Sequence, residues 1–183
     1  MCGEPLASEH GVVCGECLAD RPAFAKVYAY GLFDGALKEA IHSYKFSAAR
    51  RLARPLADLI LSMDVPLADA VTAVPLTKRR LLKRGFNQSM LIGREIAGMT
   101  GARLLPHALE KIKDTPAQAG LNRKERIRNL KGAFICGQPL SGETVLLVDD
   151  VITTGATVRE CSRALMKAGA GKVCVAALAR TKK

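Results

Sequence analysis

Aromatic residues and long apolar runs are the two features that this sequence has least of. Tryptophan is absent and tyrosine occurs three times among 183 residues, so a surface that stacks nucleic-acid bases has few side chains available. No stretch approaches about 18 uninterrupted apolar residues, which argues against a membrane-spanning helix. The segment from Met1 to Pro5 lacks a basic region followed by an apolar run, which argues against a secretory signal peptide. A cytoplasmic location is therefore expected.

Acidic residues are scarce in one part of the chain. The segment from Lys78 to Lys131, here called the basic segment, contains 14 Lys or Arg residues against 4 Asp or Glu residues. The rest of the chain contains 14 against 13, so nearly all of the formal charge of +11 belongs to the basic segment. A local excess of this size predicts a polyanionic partner, which is diphosphate, nucleic acid or both.

Three of the six cysteines lie near the N-terminus. In a cytoplasmic protein we expect thiols or metal ligands rather than disulfides. Cys14 and Cys17 have the C-x₂-C spacing of half a zinc ribbon, and Cys2 resembles the tail of a second pair whose first cysteine would precede the first residue. His10 is an alternative fourth ligand, and a knuckle without metal is the other alternative. The prediction is a partial zinc-ribbon knuckle over residues 1–20.

Apolar runs alternate with helical patterns along the remaining chain. Strands are predicted at Lys26–Phe33, Ala70–Val74, Arg103–Pro106, Val145–Val148 and Lys172–Ala179. Helices are predicted over residues 36–46, 47–63, 88–99 and 121–130 and after Thr157, with Lys45 expected to be solvated. This alternation predicts an α/β domain with a parallel sheet over residues 26–183.

The run from Val145 to Thr157 combines three features. A buried strand is followed by the adjacent carboxylates of Asp149 and Asp150, and then by a loop of small residues that starts a helix. Paired Asp at the carboxyl end of a parallel strand can bind sugar hydroxyls or hold Mg²⁺ through water. Backbone N–H groups at a helix N-terminus favour phosphate. The prediction is a site for a ribose 5-phosphate, against the alternative of a surface turn with two solvated Asp.

A basic loop is predicted where the strand Ala70–Val74 ends. It contains Thr77, Lys78, Arg79 and Arg80. Guanidinium groups match phosphate oxygens in pairs and Lys adds a point charge, so this loop is a candidate for gripping diphosphate.

The run from Val145 to Thr157 resembles the phosphoribosyl diphosphate signature of type I phosphoribosyltransferases. The resemblance implies their fold, a parallel sheet flanked by helices, with Mg²⁺ as cofactor. Asp149 and Asp150 would contact the ribose hydroxyls as the catalytic pair, and the loop of Thr153, Thr154, Gly155, Ala156 and Thr157 would hold the 5-phosphate. It further implies that Lys111 to Leu130 form a flexible flap that includes Thr115, Gln118 and Arg126.

The run Arg84-Gly85-Phe86-Asn87-Gln88 resembles the R-G-F-N-Q run of the ComF family of competence-associated proteins. In that family a Cys₄ zinc knuckle precedes a phosphoribosyltransferase domain. The knuckle, this run and the Asp-Asp loop appear here in the family's order and cover nearly the whole chain. The missing first cysteine is the departure, and it bears on metal binding.

Resemblance to ComF implies a role in DNA uptake during natural transformation. Single-stranded DNA would then be a partner, contacted by Arg84, Arg123, Arg126 and Arg128. Tyr44 and Phe86 are the aromatic residues nearest to basic ones. A competence helicase or other uptake proteins are the implied protein partners. The alternative is an active phosphoribosyltransferase of nucleotide metabolism, whose acceptor the sequence does not specify.

Overall fold

Strands and helices alternate in the computed structural model, which describes residues 1–4, 13–46, 50–113 and 129–182. Their order is α1 (Gly15–Ala19), β1 (Lys26–Leu32), α2 (Gly35–Phe46), a 3₁₀ turn (Arg50–Leu52), α3 (Ala53–Leu61), β2 (Ala70–Ala73), α4 (Lys78–Arg84), α5 (Gln88–Thr100), β3 (Arg103–Leu104), β4 (Leu109–Lys111), β5 (Phe134–Cys136), β6 (Thr144–Ile152), α6 (Ala156–Lys167) and β7 (Lys172–Arg180). Among these residues, no helix is long and apolar enough to cross a membrane.

Five strands form one sheet in the order β1-β7-β6-β2-β3, and every pairing in it is parallel. The apolar runs of β6 and β7 pair along their length, for example Val145 with Val173 and Leu147 with Val175. Both strands are buried on both faces, as continuous apolar sequence predicts for a central parallel strand. The prediction of a parallel α/β fold is confirmed.

Helices cover both faces of the sheet. One apolar cluster joins α2, α3 and α5 to the sheet through residues such as Ile41, Ile60 and Ile92. The other cluster packs α6 and the small antiparallel sheet of β4 and β5 against the opposite face, through residues such as Val158 and Leu165. The site described below lies where these two layers meet the ends of β2 and β6.

Two boundaries differ from the sequence prediction. Strand β6 does not end at Val148 but continues to Ile152, because the neighbouring β7 extends far enough to pair Ile152 with Arg180. The predicted basic loop after β2 is helix α4. Thr77 caps its N-terminus by accepting from the Arg80 N–H, and Gly85 ends it at a φ of 76°.

Candidate functional site

The carboxyl ends of β2 and β6 lie side by side at one edge of the sheet. The Val74 N–H donates to the Val148 carbonyl at 3.0 Å, directly beside the two acids. From β2 the chain continues to β3 on one side, whereas from β6 it continues to β7 on the other. In open parallel sheets, ligands bind in the crevice where successive connections diverge in this way. The topology therefore marks this crevice as the candidate site.

Asp149 and Asp150 lie in this crevice, at the end of β6. The Asp150 N–H donates to Asp149 Oδ1 at 2.9 Å. Asp149 is half-buried, whereas Asp150 is only 5% exposed. A carboxylate as enclosed as Asp150 needs partners inside the protein, because an unpaired buried charge is costly.

Lys45 and Gln88 provide those partners. Lys45 Nζ, at the end of α2, lies 3.0 Å from Asp150 Oδ1, and Gln88 Nε2, in the first turn of α5, donates to Asp150 Oδ2 at 2.5 Å. The expectation that Lys45 is solvated is therefore wrong, since its side chain is 17% exposed and ion-paired. Ser89, which follows Gln88, lies close enough to Asp149 for its hydroxyl to favour the ionised form of that acid. Two consecutive residues of α5 thus contact the two acids in turn.

The pKa of Asp149 is shifted by its surroundings. Burial, followed by the neighbouring charge of Asp150, raises the pKa of Asp149 from 3.8 to about 8. The Asp150 N–H, the Lys45 ammonium and the Ser89 hydroxyl oppose this rise without cancelling it. The pKa of Asp149 is thus held above its usual range, beside an Asp150 that is paired with a cation.

The loop from Thr153 to Thr157, here called the threonine loop, turns the chain from β6 into α6. Gly155 has a φ of 77°, a left-handed conformation that glycine adopts without strain. The Ala156 N–H donates to Thr154 Oγ1 at 3.3 Å, and helix α6 begins at Ala156. The first turn of α6 thereby lies at the carboxyl end of β6, the strand that carries the two acids.

Helix α4 carries the predicted diphosphate residues. Lys78, Arg79 and Arg80 are exposed, and no residue of this helix is buried. The Thr77 Oγ1 accepts from the Arg80 N–H as the helix cap, and its O–H remains a donor. Because α4 follows β2, its basic residues rise from the same edge of the sheet as the acids.

Several predicted residues lie outside the described part of the chain. They are the flap residues Thr115, Gln118 and Arg126, the nucleic-acid residues Arg123, Arg126 and Arg128, and the alternative fourth zinc ligand His10. The roles assigned to them remain predictions. Arg84 is described, and its NH1 donates to Gln88 Oε1 at 2.5 Å. Tyr44 and Phe86 are 0% and 7% exposed, so neither presents a surface on which a base can stack.

The three N-terminal cysteines form a second cluster. The ligand atoms of Cys2, Cys14 and Cys17 lie within 4.8 Å of one another, and the first two Sγ atoms are 3.4 Å apart. Burial raises the pKa of Cys17 to about 12, with the neighbouring thiols adding to the rise. Burial also opposes ionisation of Cys14, but hydrogen bonds from Cys17 and Cys2 outweigh it and lower that pKa to about 7. Three converging thiols are the donor chemistry of a zinc site.

This cluster is docked against the end of the sheet that carries the threonine loop. Arg159, in the first turn of α6, donates to the Asp20 carbonyl at 2.9 Å and approaches Cys17 Sγ at 3.6 Å. Arg180, which pairs with Ile152, donates to Glu4 Oε2. A small cavity between the two regions is lined by Cys2, Thr154, Gly155, Arg159 and Arg180 among others.

Sequence reasoning missed the partners of Asp150. Lys45 carried no local signal, because a lysine near the end of an amphipathic helix is ordinarily solvated. Gln88 did carry one, since it follows the helix cap Asn87 directly after a strand and a short helix. A polar residue in the first turn of such a helix points back toward the strand end.

Fold and site together define the class of protein. A family model described as "Phosphoribosyl transferase domain" matches residues 137–183, which include β6, the threonine loop, α6 and β7. The chain has a type I phosphoribosyltransferase fold, as the resemblance implied.

Three relatives narrow the assignment. The DNA utilization protein YhgH of Salmonella typhi is 35% identical over 99% of this chain and 83% of its own length. Competence protein F of Haemophilus influenzae is 33% identical over 98% of this chain and 82% of its own length. Competence protein ComFC of Streptococcus pneumoniae is 30% identical over 81% of this chain and 65% of its own length. The chain belongs to the ComF family.

Proposed function

We propose that this protein binds 5-phosphoribosyl diphosphate with Mg²⁺ and takes part in DNA uptake during natural transformation. The observation that carries the proposal is the meeting of Asp149, Asp150 and the threonine loop at the ends of β2 and β6. Relatives named as competence and DNA utilization proteins support the cellular role.

Each part of the ligand has a matching group in the crevice. Asp149 and Asp150 accept hydrogen bonds from the ribose hydroxyls, and the first backbone N–H groups of α6 donate hydrogen bonds to the 5-phosphate. Lys78, Arg79 and Arg80 face the diphosphate with the charge of α4. The Thr77 Oγ1 caps that helix by accepting from the Arg80 N–H, and its O–H donates to the diphosphate.

Mg²⁺ fits the donor set of the crevice. It prefers carboxylate oxygens and water, and half-buried Asp149 offers such an oxygen beside the place of the diphosphate. When bound there, the metal neutralises charge on the diphosphate.

If the protein transfers the phosphoribosyl group, Asp149 and Asp150 act by holding the ribose while its bond to diphosphate breaks. The basic residues of α4 stabilise the departing diphosphate. The segment from Lys111 to Leu130 acts as a flap that keeps water from the cationic sugar.

Zn²⁺ is proposed as a structural ion of the N-terminal knuckle. Sulfurs around a tetrahedral zinc are separated by roughly 3.8 Å, and the spacing of Cys2, Cys14 and Cys17 suits three such ligands. One coordination position remains, for which His10 is the candidate within this sequence. The proposed division of the chain is a knuckle over residues 1–20 and a phosphoribosyltransferase-like domain over 26–183.

Single-stranded DNA is the proposed macromolecular partner, together with a competence helicase or other uptake proteins in the cytoplasm. The charge of the basic segment supports a polyanion as partner. The alternative is an enzyme of nucleotide metabolism with an unidentified acceptor. A screen of nucleobases and DNA for diphosphate release separates the two, because a pure binding protein releases none.

The ligand assignment is tested by calorimetric titration with 5-phosphoribosyl diphosphate in the presence of Mg²⁺. Changing Asp149→Asn together with Asp150→Asn keeps volume, removes the negative charge and replaces one acceptor oxygen of each group by an amide donor. We expect affinity to fall by at least about tenfold, because hydrogen bonds to charged groups are the strong ones.

The matched control changes Asp58→Asn and Asp64→Asn, two exposed acids away from the crevice. It makes the same two chemical changes outside the crevice and should retain wild-type affinity. Equal binding by the Asp149/Asp150 variant and the wild type would refute the assignment of the site.

A further inference from the structure

The second acid of the pair is held from two directions. Asp150 Oδ1 is ion-paired with Lys45 on α2, and Asp150 Oδ2 accepts from Gln88 on α5. A carboxylate offers about four acceptor positions, so one bond to each oxygen leaves others for a ligand. Helices α2 and α5 thereby fix the position of this carboxylate without using it up.

The orientation of the Gln88 amide follows from its neighbours. Arg84 NH1 lies 2.5 Å from Gln88 Oε1, and because a guanidinium can only donate, the oxygen of the amide must face it. The amide nitrogen then faces Asp150. The Tyr44 hydroxyl donates to the Gln88 carbonyl oxygen at 3.0 Å, which ties the backbone of the same residue to α2. Gln88 is 4% exposed, so this arrangement is enclosed.

We propose that Lys45 and Gln88 are positioning residues that aim Asp150 at the ribose hydroxyls. This inference rests on the proposed binding of a phosphoribosyl ligand. It assigns a role to Arg84 and Gln88 of the R-G-F-N-Q run: Arg84 orients Gln88, and Gln88 orients Asp150. Lys45 balances the charge of Asp150 from the opposite side. Neither positioning residue needs to touch the ligand.

Two sugar phosphates separate the contribution of Asp150 to binding from that of the phosphate. Ribose 5-phosphate and 2-deoxyribose 5-phosphate share the phosphate and differ by one hydroxyl. We expect the wild-type protein to prefer ribose 5-phosphate by about tenfold, since one hydrogen bond to a charged group is lost in the deoxy ligand. Lys45→Met should abolish most of this preference, and Lys45→Arg should restore it. Loss of packing alone would weaken both ligands equally and leave their ratio unchanged.

Lys38→Met is the matched control, because it removes a lysine from the same helix and leaves Asp150 paired. It should keep the wild-type ratio. Gln88→Met tests the second contact and is expected to reduce the ratio like Lys45→Met, with thermal unfolding confirming that each variant is folded. A wild-type ratio in both the Lys45→Met and Gln88→Met variants, or tighter binding of ribose 5-phosphate by either, overturns the positioning role. Failure of the wild-type protein to bind either sugar phosphate instead refutes the proposed function, and the positioning role with it.

Discussion

Two adjacent aspartates in this chain occupy different environments. Asp150 is enclosed and bonded to Lys45 and Gln88, whereas Asp149 is half-buried beside the Ser89 hydroxyl. A carboxyl group with a strongly perturbed pKa beside a charged partner is typical of functional sites. Burial and the charge of Asp150 raise the pKa of Asp149, while side chains on α2 and α5 fix the position of Asp150.

The raised pKa of Asp149 has a consequence for stability. The folded protein keeps a proton on this group that the unfolded chain releases above 3.8, so stability falls as pH rises from there to about 8. Asp149→Asn removes the titrating group and keeps the acceptor for the Asp150 N–H. We expect this variant to be more stable than the wild type at about pH 8 and to lose less stability between about pH 5 and pH 8. Urea unfolding at several pH values measures both quantities.

Asp64→Asn, at an exposed position, is the control for loss of one carboxylate. It should show the pH dependence of the wild type. If Asp149→Asn also follows the wild-type curve, the proton does not reside on Asp149.

At the residue scale, sequence predicted which residues carry charge but not which of them meet. Asp149 and Asp150 were identifiable from their place after an apolar run. Their contacts to Lys45 and Gln88 join segments far apart in the chain, and a single sequence contains no signal of such pairings. The burial of Tyr44, in contrast, follows from helical spacing, because it shares the apolar face of α2 with Leu37 and Ile41.

At the scale of elements, the start of α5 serves both the fold and the site. Asn87 Oδ1 accepts from the Met90 N–H at 3.2 Å, and its Nδ2 donates to the Val74 carbonyl at 3.0 Å. The cap therefore ties the first turn of α5 to the end of β2. With that turn fixed, Gln88 and Ser89 are directed at the two acids.

Local capping signals account for the elements that the sequence predicted well. Asn87 and Gly101, the latter at a φ of 75°, cap α5, and the helix predicted over residues 88–99 is found one residue longer. The same capping signals delimit α4, with Thr77 before it and Gly85 after it. The prediction of a loop gave more weight to the dense basic charge than to these caps. The added length of β6 was not predictable, because it depends on pairing with β7.

The N-terminal knuckle contacts helix α6, which follows the threonine loop, and strand β7, which pairs with β6. Arg159 of α6 and Arg180 of β7 are nearly buried and bond to Asp20 and Glu4. Metal at Cys2, Cys14 and Cys17 would hold these contacts in place, because small zinc sites fold with their ion. We expect chelation to lower the midpoint of thermal unfolding of the full chain. Differential scanning calorimetry with and without chelator measures the shift, and metal analysis gives zinc per chain.

Two variants make this test specific. Cys14→Ser combined with Cys17→Ser should lose the response to chelator, whereas Cys136→Ser, outside the knuckle, should retain it. An unchanged response in the double variant would place the metal elsewhere. Zinc at one per chain would indicate that His10 or another group completes the site, and zinc below one would indicate an incomplete ligand set.

At the scale of the whole molecule, one edge of the sheet collects the chemistry. The ends of β2 and β6 carry α4, the two acids and the threonine loop, and α4 contains five basic residues and no acidic one. The parallel order of the sheet follows from alternating apolar runs and helices, so this convergence was predictable in outline. The sequence did not predict where the knuckle contacts the sheet. That position is set by Arg159 and Arg180, which lie in segments whose other residues have the pattern of a buried core.

The concentration of positive charge in the basic segment leads to a testable prediction for nucleic-acid binding. If the basic segment contacts phosphates, the affinity for single-stranded DNA falls linearly with salt on logarithmic axes. Each phosphate contact contributes a slope of about 0.7, so changing Arg123, Arg126 and Arg128 to Ala should lower the slope by about 2. Fluorescence anisotropy with a labelled oligonucleotide over a range of salt concentrations measures this slope.

Changing Lys167, Lys172 and Lys182 to Ala removes equal charge outside the segment and should leave the slope unchanged. Equal slopes for both triple variants, or no binding at low salt, would exclude the basic segment as the DNA contact.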